Sequence, residues 1–297
     1  MPTAGLPPIT APRANGYTAK TPVPLYWAGY GPQGVSPLLV LHGGPGASHD
    51  YLLPQMLELA RDRELILYDQ RGGGRSRQDD AGPVTWRTQV EDLVAVVKEF
   101  ALEPLSIVGY SWGGLLAMLY AVEAAAGRVS VRPGRMVLID PAPATRRHRE
   151  EFETEFNKRQ QSDRIRSMRE QLAASGLQEM DREAYRQRAF ELSVAGYFAD
   201  PAQAARLTPF RVIGKVQKSI WESLGDYDLL AALGTVKCPA LVVHGSEDPI
   251  PAESSREIAA ALGARFVLLE GSGHVPYVES PDQLFPALVD FLDDTDA

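Results

Sequence analysis

Residues 104 to 114, Pro-Leu-Ser-Ile-Val-Gly-Tyr-Ser-Trp-Gly-Gly, constrain the fold of this chain more than any other stretch. Leu105 to Val108 is a short apolar run with β-branched members, bounded by Pro104 and Gly109, and reads as a buried strand. From Leu115 a run of good helix formers continues until Gly127 ends it. Between them lies Gly109-x-Ser111-x-Gly113. A serine in such a strand-to-helix turn sits on a strained backbone that leaves no room for bulky residues two places away on either side. Its hydroxyl is pushed out at the carboxyl end of the sheet, beside helix N-terminal N–H groups that can receive negative charge.

The flanking sequence repeats the alternation. Pro37 to His42 predicts a buried strand running into Gly43-Gly44-Pro45-Gly46, and Ser48 or Asp50 predicts the cap of a helix over 51–60. Glu64 to Asp69 predicts the next strand, followed by the glycine-rich loop Gln70 to Ser76. Thr85 caps a helix whose apolar Val90, Leu93, Val94, Val97 and Phe100 keep helical spacing. Arg135 to Asp140, Pro239 to His244 and Arg265 to Leu269 predict further strands, and helices are expected over 253–262 and 281–292. Residues 1–20 read as an extended leader, with a weak edge strand over 23–30. Strands alternating with helices imply an α/β fold with a mostly parallel, doubly wound sheet. After Pro141 the alternation stops, and the charged, helical stretch to about residue 233 is too long for a loop. We expect a core of residues 1–140 and 234–297 and an inserted helical cap over 141–233.

A serine alcohol is a poor nucleophile until a base takes its proton, and the base needs a carboxylate to orient it. In a parallel sheet these partners project from the carboxyl ends of strands. Asp248 and His274 both follow predicted strands, giving the chain order Ser111, Asp248, His274. Glu247 is the rival acid, expected in solvent. His42 and His244 read as loop-holding residues, His49 and His148 as surface residues. The developing oxyanion needs two donors, expected from the backbone N–H groups of Gly44 and Trp112.

The His42-Gly43-Gly44-Pro45-Gly46 loop, Asp69-Gln70-Arg71-Gly72 and Gly109-Tyr110-Ser111-Trp112-Gly113-Gly114 together resemble the proline iminopeptidase (prolyl aminopeptidase) group of the α/β hydrolases. The resemblance covers about residues 35–140 and 236–294. It implies the α/β-hydrolase fold, a triad of Ser111, Asp248 and His274, and release of an N-terminal residue, often proline, from small peptides. It also implies a cap carboxylate for the substrate ammonium, for which Glu191, ahead of Tyr197-Phe198, is the candidate.

The resulting expectation is a serine hydrolase acting through an acyl-enzyme on a short-peptide or small-molecule substrate. N-terminal prolyl or other small-residue peptides rank first, small esters or lactones second, and a non-catalytic small-molecule-binding role is a remote third. Serine rather than aspartate at the elbow disfavours an epoxide hydrolase or dehalogenase. This chemistry needs no metal and no organic cofactor. A formal net charge of −8 argues against nucleic acid and anionic membrane partners. No apolar run reaches membrane-spanning length, and the N-terminal stretch lacks a secretory pattern. The lone Cys238 allows no internal disulfide, so a cytoplasmic location is expected. The sequence carries no signal for an oligomeric state.

Overall fold

The computed structural model describes residues 9–77 and 82–294. Its centre is an eight-stranded sheet: β1 (Ala14–Tyr17), β2 (Tyr26–Tyr30), β3 (Leu38–Leu41), β4 (Leu65–Tyr68), β5 (Leu105–Tyr110), β6 (Pro133–Ile139), β7 (Ala240–Gly245) and β8 (Arg265–Leu269). The strand order is β1-β2-β4-β3-β5-β6-β7-β8. The β1–β2 and β2–β4 pairs are antiparallel and the rest are parallel.

The central strands read as unbroken apolar runs because both of their faces are covered. Leu39, Leu41, Leu105 and Ile107 face one core, while Leu38, Val40, Val108 and Tyr110 face the other. Each buried leucine or isoleucine contributes about 2 kcal/mol of transfer free energy. The first core is closed by α1 (Trp86–Glu99) and α2 (Trp112–Ala125). Thr85 caps α1 in a full capping box with Thr88, as its sequence predicts.

Two expectations need correction. The leader contributes β1, so the edge strand lies one hairpin further out than the 23–30 stretch predicted. The helix expected over 51–60 is a pair of 3-10 turns, His49–Leu52 and Gln55–Ala60. Pro54 lacks the N–H a continuous helix would use there. The proposed cap side chains are also diverted, with Ser48 Oγ donating to Asp50 Oδ2 at 3.1 Å and Asp50 accepting from Arg75 at 2.7 Å.

Between β6 and β7 come α3 (Arg146–Gln160), α4 (Asp163–Ala174), a short α5 (Leu177–Met180), α6 (Arg182–Val194), α7 (Gly214–Leu224) and a short α8 (Leu230–Leu233). No strand is assigned among these residues. We propose that residues 141–233 form a cap over the carboxyl ends of the strands. The chain then closes with α9 (Ala252–Leu262), the turn α10 (Pro276–Glu279) and α11 (Pro281–Asp293). No described helix is long and apolar enough to cross a membrane.

Candidate active site

Ser111 joins β5 to α2 at φ 52° and ψ −119°, a conformation that L-residues rarely adopt. The turn is clamped by backbone: Ser111 N–H donates to Ile139 at 3.0 Å, while its carbonyl accepts from Gly114 and Ala142 at 2.9 Å each. Close packing explains the glycines around it. A Cβ on Gly43 would lie 2.7 Å from Ser111 Cβ, and one on Gly113 would overlap the Leu41 carbonyl.

His274, in the turn after β8, reaches Ser111 Oγ with Nε2 at 3.0 Å. Its Nδ1 lies 2.8 Å from Asp248 Oδ2, in the turn after β7. With Nδ1 donating to the carboxylate, Nε2 carries the lone pair that can accept the serine proton. Burial opposes ionisation of Asp248, but the charge and hydrogen bond of His274 outweigh it and hold the carboxyl below its ordinary range. Ile250 N–H adds a 2.7 Å bond to the other Asp248 oxygen. The rival Glu247 is exposed. The turn carrying His274 is fastened to the cap, since His274 N–H donates to the Tyr197 carbonyl at 2.7 Å and the two rings stack at 5.1 Å. Close approach decides Gly273, where a Cβ would meet that carbonyl at 2.5 Å.

The two expected oxyanion donors face the same cavity as Ser111. Gly43 N–H is taken by the Tyr51 hydroxyl at 2.6 Å. Among the described residues, no hydrogen bond is made by the N–H of Gly44 or of Trp112, the first residue of α2. One polar chain ties their loops together: Trp112 Nε1 donates to Gln70 Oε1 at 2.8 Å, and Gln70 Nε2 donates to the His42 carbonyl at 2.8 Å. His42 completes it, accepting from Gln70 N–H at 3.1 Å and donating to its neighbouring carbonyl at 2.9 Å. Burial lowers its pKa to about 4, so the ring stays neutral. His42 and His244 thus hold loops as their sequence suggests. His49 and His148 are buried instead, His49 against Asp69 at 2.7 Å and His148 between Glu151 and Glu257 at 2.8 and 3.0 Å. Those partners are distant in the chain or on the far side of a helical turn, which is why local polarity misplaced both rings.

Two cavities meet at Ser111. One, of about 250 Å³, mixes charge and rings on its cap side, where Arg149, Glu153 and Asn157 line it beside Phe152, Phe156 and Trp221. Glu153 pairs with Arg149, whose guanidinium lies 4.1 Å from the Trp221 ring centre. The other, of about 340 Å³, is walled by rings, including Tyr51, Phe190, Phe210 and Tyr277. Glu191 lines neither. It is buried, accepting from Arg188 at 2.6 Å and Gln187 at 3.1 Å on its own helix. The signal for Glu153 was present but faint. Arg149, Phe152, Glu153, Phe156 and Gln160 follow i, i+3, i+4, i+7, i+11 spacing, so one face of α3 mixes rings and charges.

Among the described residues, one group of three could approach a metal ion together: Asp140, His244 and Asp248. Two of the three are already engaged, His244 with Ile250 and Ser255 at 3.1 and 2.9 Å, and Asp248 with His274 and Ile250.

A serine, an imidazole and a carboxylate in series at the strand ends of such a sheet accompany the matching of residues 38–287 to the alpha/beta hydrolase family. The chain belongs to that family and is a hydrolase of this fold. In particular it is similar to the proline iminopeptidase of Lactobacillus crispatus (strain ST1), 28% identical over 290 residues that cover 88% of this chain and 91% of the relative. Two solved structures share the fold. The proline iminopeptidase of Mycobacterium smegmatis has a TM-score of 0.67 at 22% identity, covering 94% of this chain and 97% of its own. The enol-lactonase of Burkholderia xenovorans LB400 has a TM-score of 0.65 at 24% identity, covering 93% and 99%.

Proposed function

We propose that this hydrolase forms an acyl-enzyme on Ser111. The hydroxyl attacks a substrate carbonyl carbon while its proton passes to His274 Nε2, and Asp248 stabilises the imidazolium so formed. The N–H groups of Gly44 and Trp112 hold the oxyanion. Collapse expels the amine or alcohol, which takes the proton from Nε2. Water then repeats the sequence on the acyl-enzyme and frees Ser111. The observation that carries this reading is the 3.0 Å and 2.8 Å series from Ser111 through His274 to Asp248. It needs no metal and no organic cofactor.

As substrate we propose short peptides with N-terminal proline or another small residue. Similarity to proline iminopeptidases supports this, as does Glu153 in the cavity lining, where an arriving ammonium would share its carboxylate with Arg149. Glu153 takes the ammonium-binding role for which the sequence nominated Glu191. A second reading, hydrolysis of small esters or lactones, is favoured by the ring-walled cavity, which offers a carbonyl substituent apolar surface without charge. Proline p-nitroanilide and p-nitrophenyl acetate, assayed side by side, decide between them. Turnover of the anilide supports the peptidase, and ester turnover with no anilide turnover removes it. Absence of fluorophosphonate labelling that depends on Ser111 removes the serine mechanism altogether.

A further inference from the structure

Asp140 follows β6 with φ 41°, a backbone conformation that directs its carboxyl into a site with no solvent exposure. There one oxygen of Asp140, one of Asp248 and a ring nitrogen of His244 lie within 4.8 Å of one another. The donors around the two carboxyls are unequal. Asp248 accepts from Ile250 N–H and from His274 Nδ1. Among the described residues, Asp140 Oδ1 accepts only Gly245 N–H, at 2.8 Å, and Oδ2 has no donor.

His244 cannot make up the difference. Its Nε2–H donates to Ile250 at 3.1 Å, and its Nδ1, 3.5 Å from Asp140 Oδ1, accepts from Ser255 Oγ at 2.9 Å. Burial lowers the His244 pKa, which keeps the ring neutral. Among the described residues, the other charged group that acts on Asp140 is Glu279, another carboxyl. Two carboxylates this close in a dry site cannot both ionise, and the one with fewer donors and no cation keeps the proton.

We propose that Asp140 is a positioning residue held as a neutral carboxylic acid, whose O–H donates to the Asp248 carboxylate and fixes it against His274. The pair holds one proton, which stays on Asp140 throughout the reaction. Burial, then the charge of Asp248, pushes Asp140 far above the carboxylate range, in keeping with this assignment. The triad acid thereby gains a third hydrogen bond without a second negative charge beside it. The role of Asp248 rests on the mechanism proposed above, whereas the location of the proton does not.

Infrared spectra and pH profiles test the two parts separately. At pH 8 the intact protein should show the carbonyl stretch of a protonated carboxylic acid that is missing in Asp140→Asn. No lost band overturns the proposal. In p-nitrophenyl acetate hydrolysis, or in fluorophosphonate labelling if the ester is not turned over, Asp140→Asn should keep the rate within about threefold and leave the acidic limb in place. Its amide N–H donates where the acid O–H did. Asp140→Leu should lose roughly ten- to a hundredfold, the range for a missing hydrogen bond to a charged group. An acidic limb that moves down in Asp140→Asn would mean a true negative charge had been removed, and would overturn the assignment. If Asp140→Leu does not fold, the asparagine variant and the infrared band still decide. If neither assay responds to Ser111, the mechanism fails while the band still reports the state of Asp140.

Discussion

Ser111 combines a reactive position with an unfavourable backbone, and the two can be separated by substitution. At φ 52° and ψ −119° a side chain is a burden that only glycine escapes. Ser111→Gly should therefore be more stable than Ser111→Ala by about 1 kcal/mol in urea denaturation, although both lose activity. Either change, or His274→Ala, should lower kcat/KM by roughly ten-thousandfold or more on whichever substrate is turned over. The three residues were legible in the sequence because each stands just past an apolar run that could only be a buried strand. Glu247 and Asp248 are adjacent in the sequence, and the structure separates them, the first exposed and the second buried against His274. Asp140 escaped notice because its neighbours in space, Asp248 and His244, are brought to it by β7, which pairs with β6 from about a hundred residues away.

Among the elements, α3 and the β5–α2 junction carry the sharpest tests. Glu153→Gln should raise KM for proline p-nitroanilide roughly ten- to a hundredfold while leaving p-nitrophenyl acetate hydrolysis unchanged, because only the anilide brings an ammonium group. Glu191→Gln, at a residue paired within its own helix, should leave both KM values alone and lower stability instead. At the junction, Gly113→Ala forces a methyl group onto the Leu41 carbonyl and should cost about 3 kcal/mol, read by denaturation. Periodicity placed α1, α2, α9 and α11 because one face of each is plainly apolar or, for α2, nearly all of it is. It failed at 49–60, where one proline and two diverted side chains undo a helix that composition alone would allow. It also left the cap without a usable interior, because α3 and α4 are mostly charged and their contacts are settled by what they cover.

For the molecule as a whole, Glu279 stands where cap and core join. Its carboxyl accepts Ala199 N–H at 2.8 Å from the cap and Gly273 N–H at 2.9 Å from the turn bearing His274. Burial raises its pKa from 4.5 to about 7, only partly offset by those hydrogen bonds. The folded protein then holds this proton more tightly than the unfolded chain. The stabilising effect is fully present below about pH 4.5 and is lost as the pH rises to about 7, on the order of 3 kcal/mol in all. Urea denaturation at pH 5 and pH 8 should show this decline in the intact protein, and Glu279→Gln should remove it.

The shared fastening of residues 197–199 and 273–274 bears on how this chain would tolerate a transplanted lid. A chimera that grafts a foreign lid at 141 and 233 would also replace the carbonyl that anchors the backbone N–H of His274. Recombination at that seam is therefore expected to yield folded but sluggish hybrids unless the recipient's own Tyr197 to Ala199 segment travels back with the transplant.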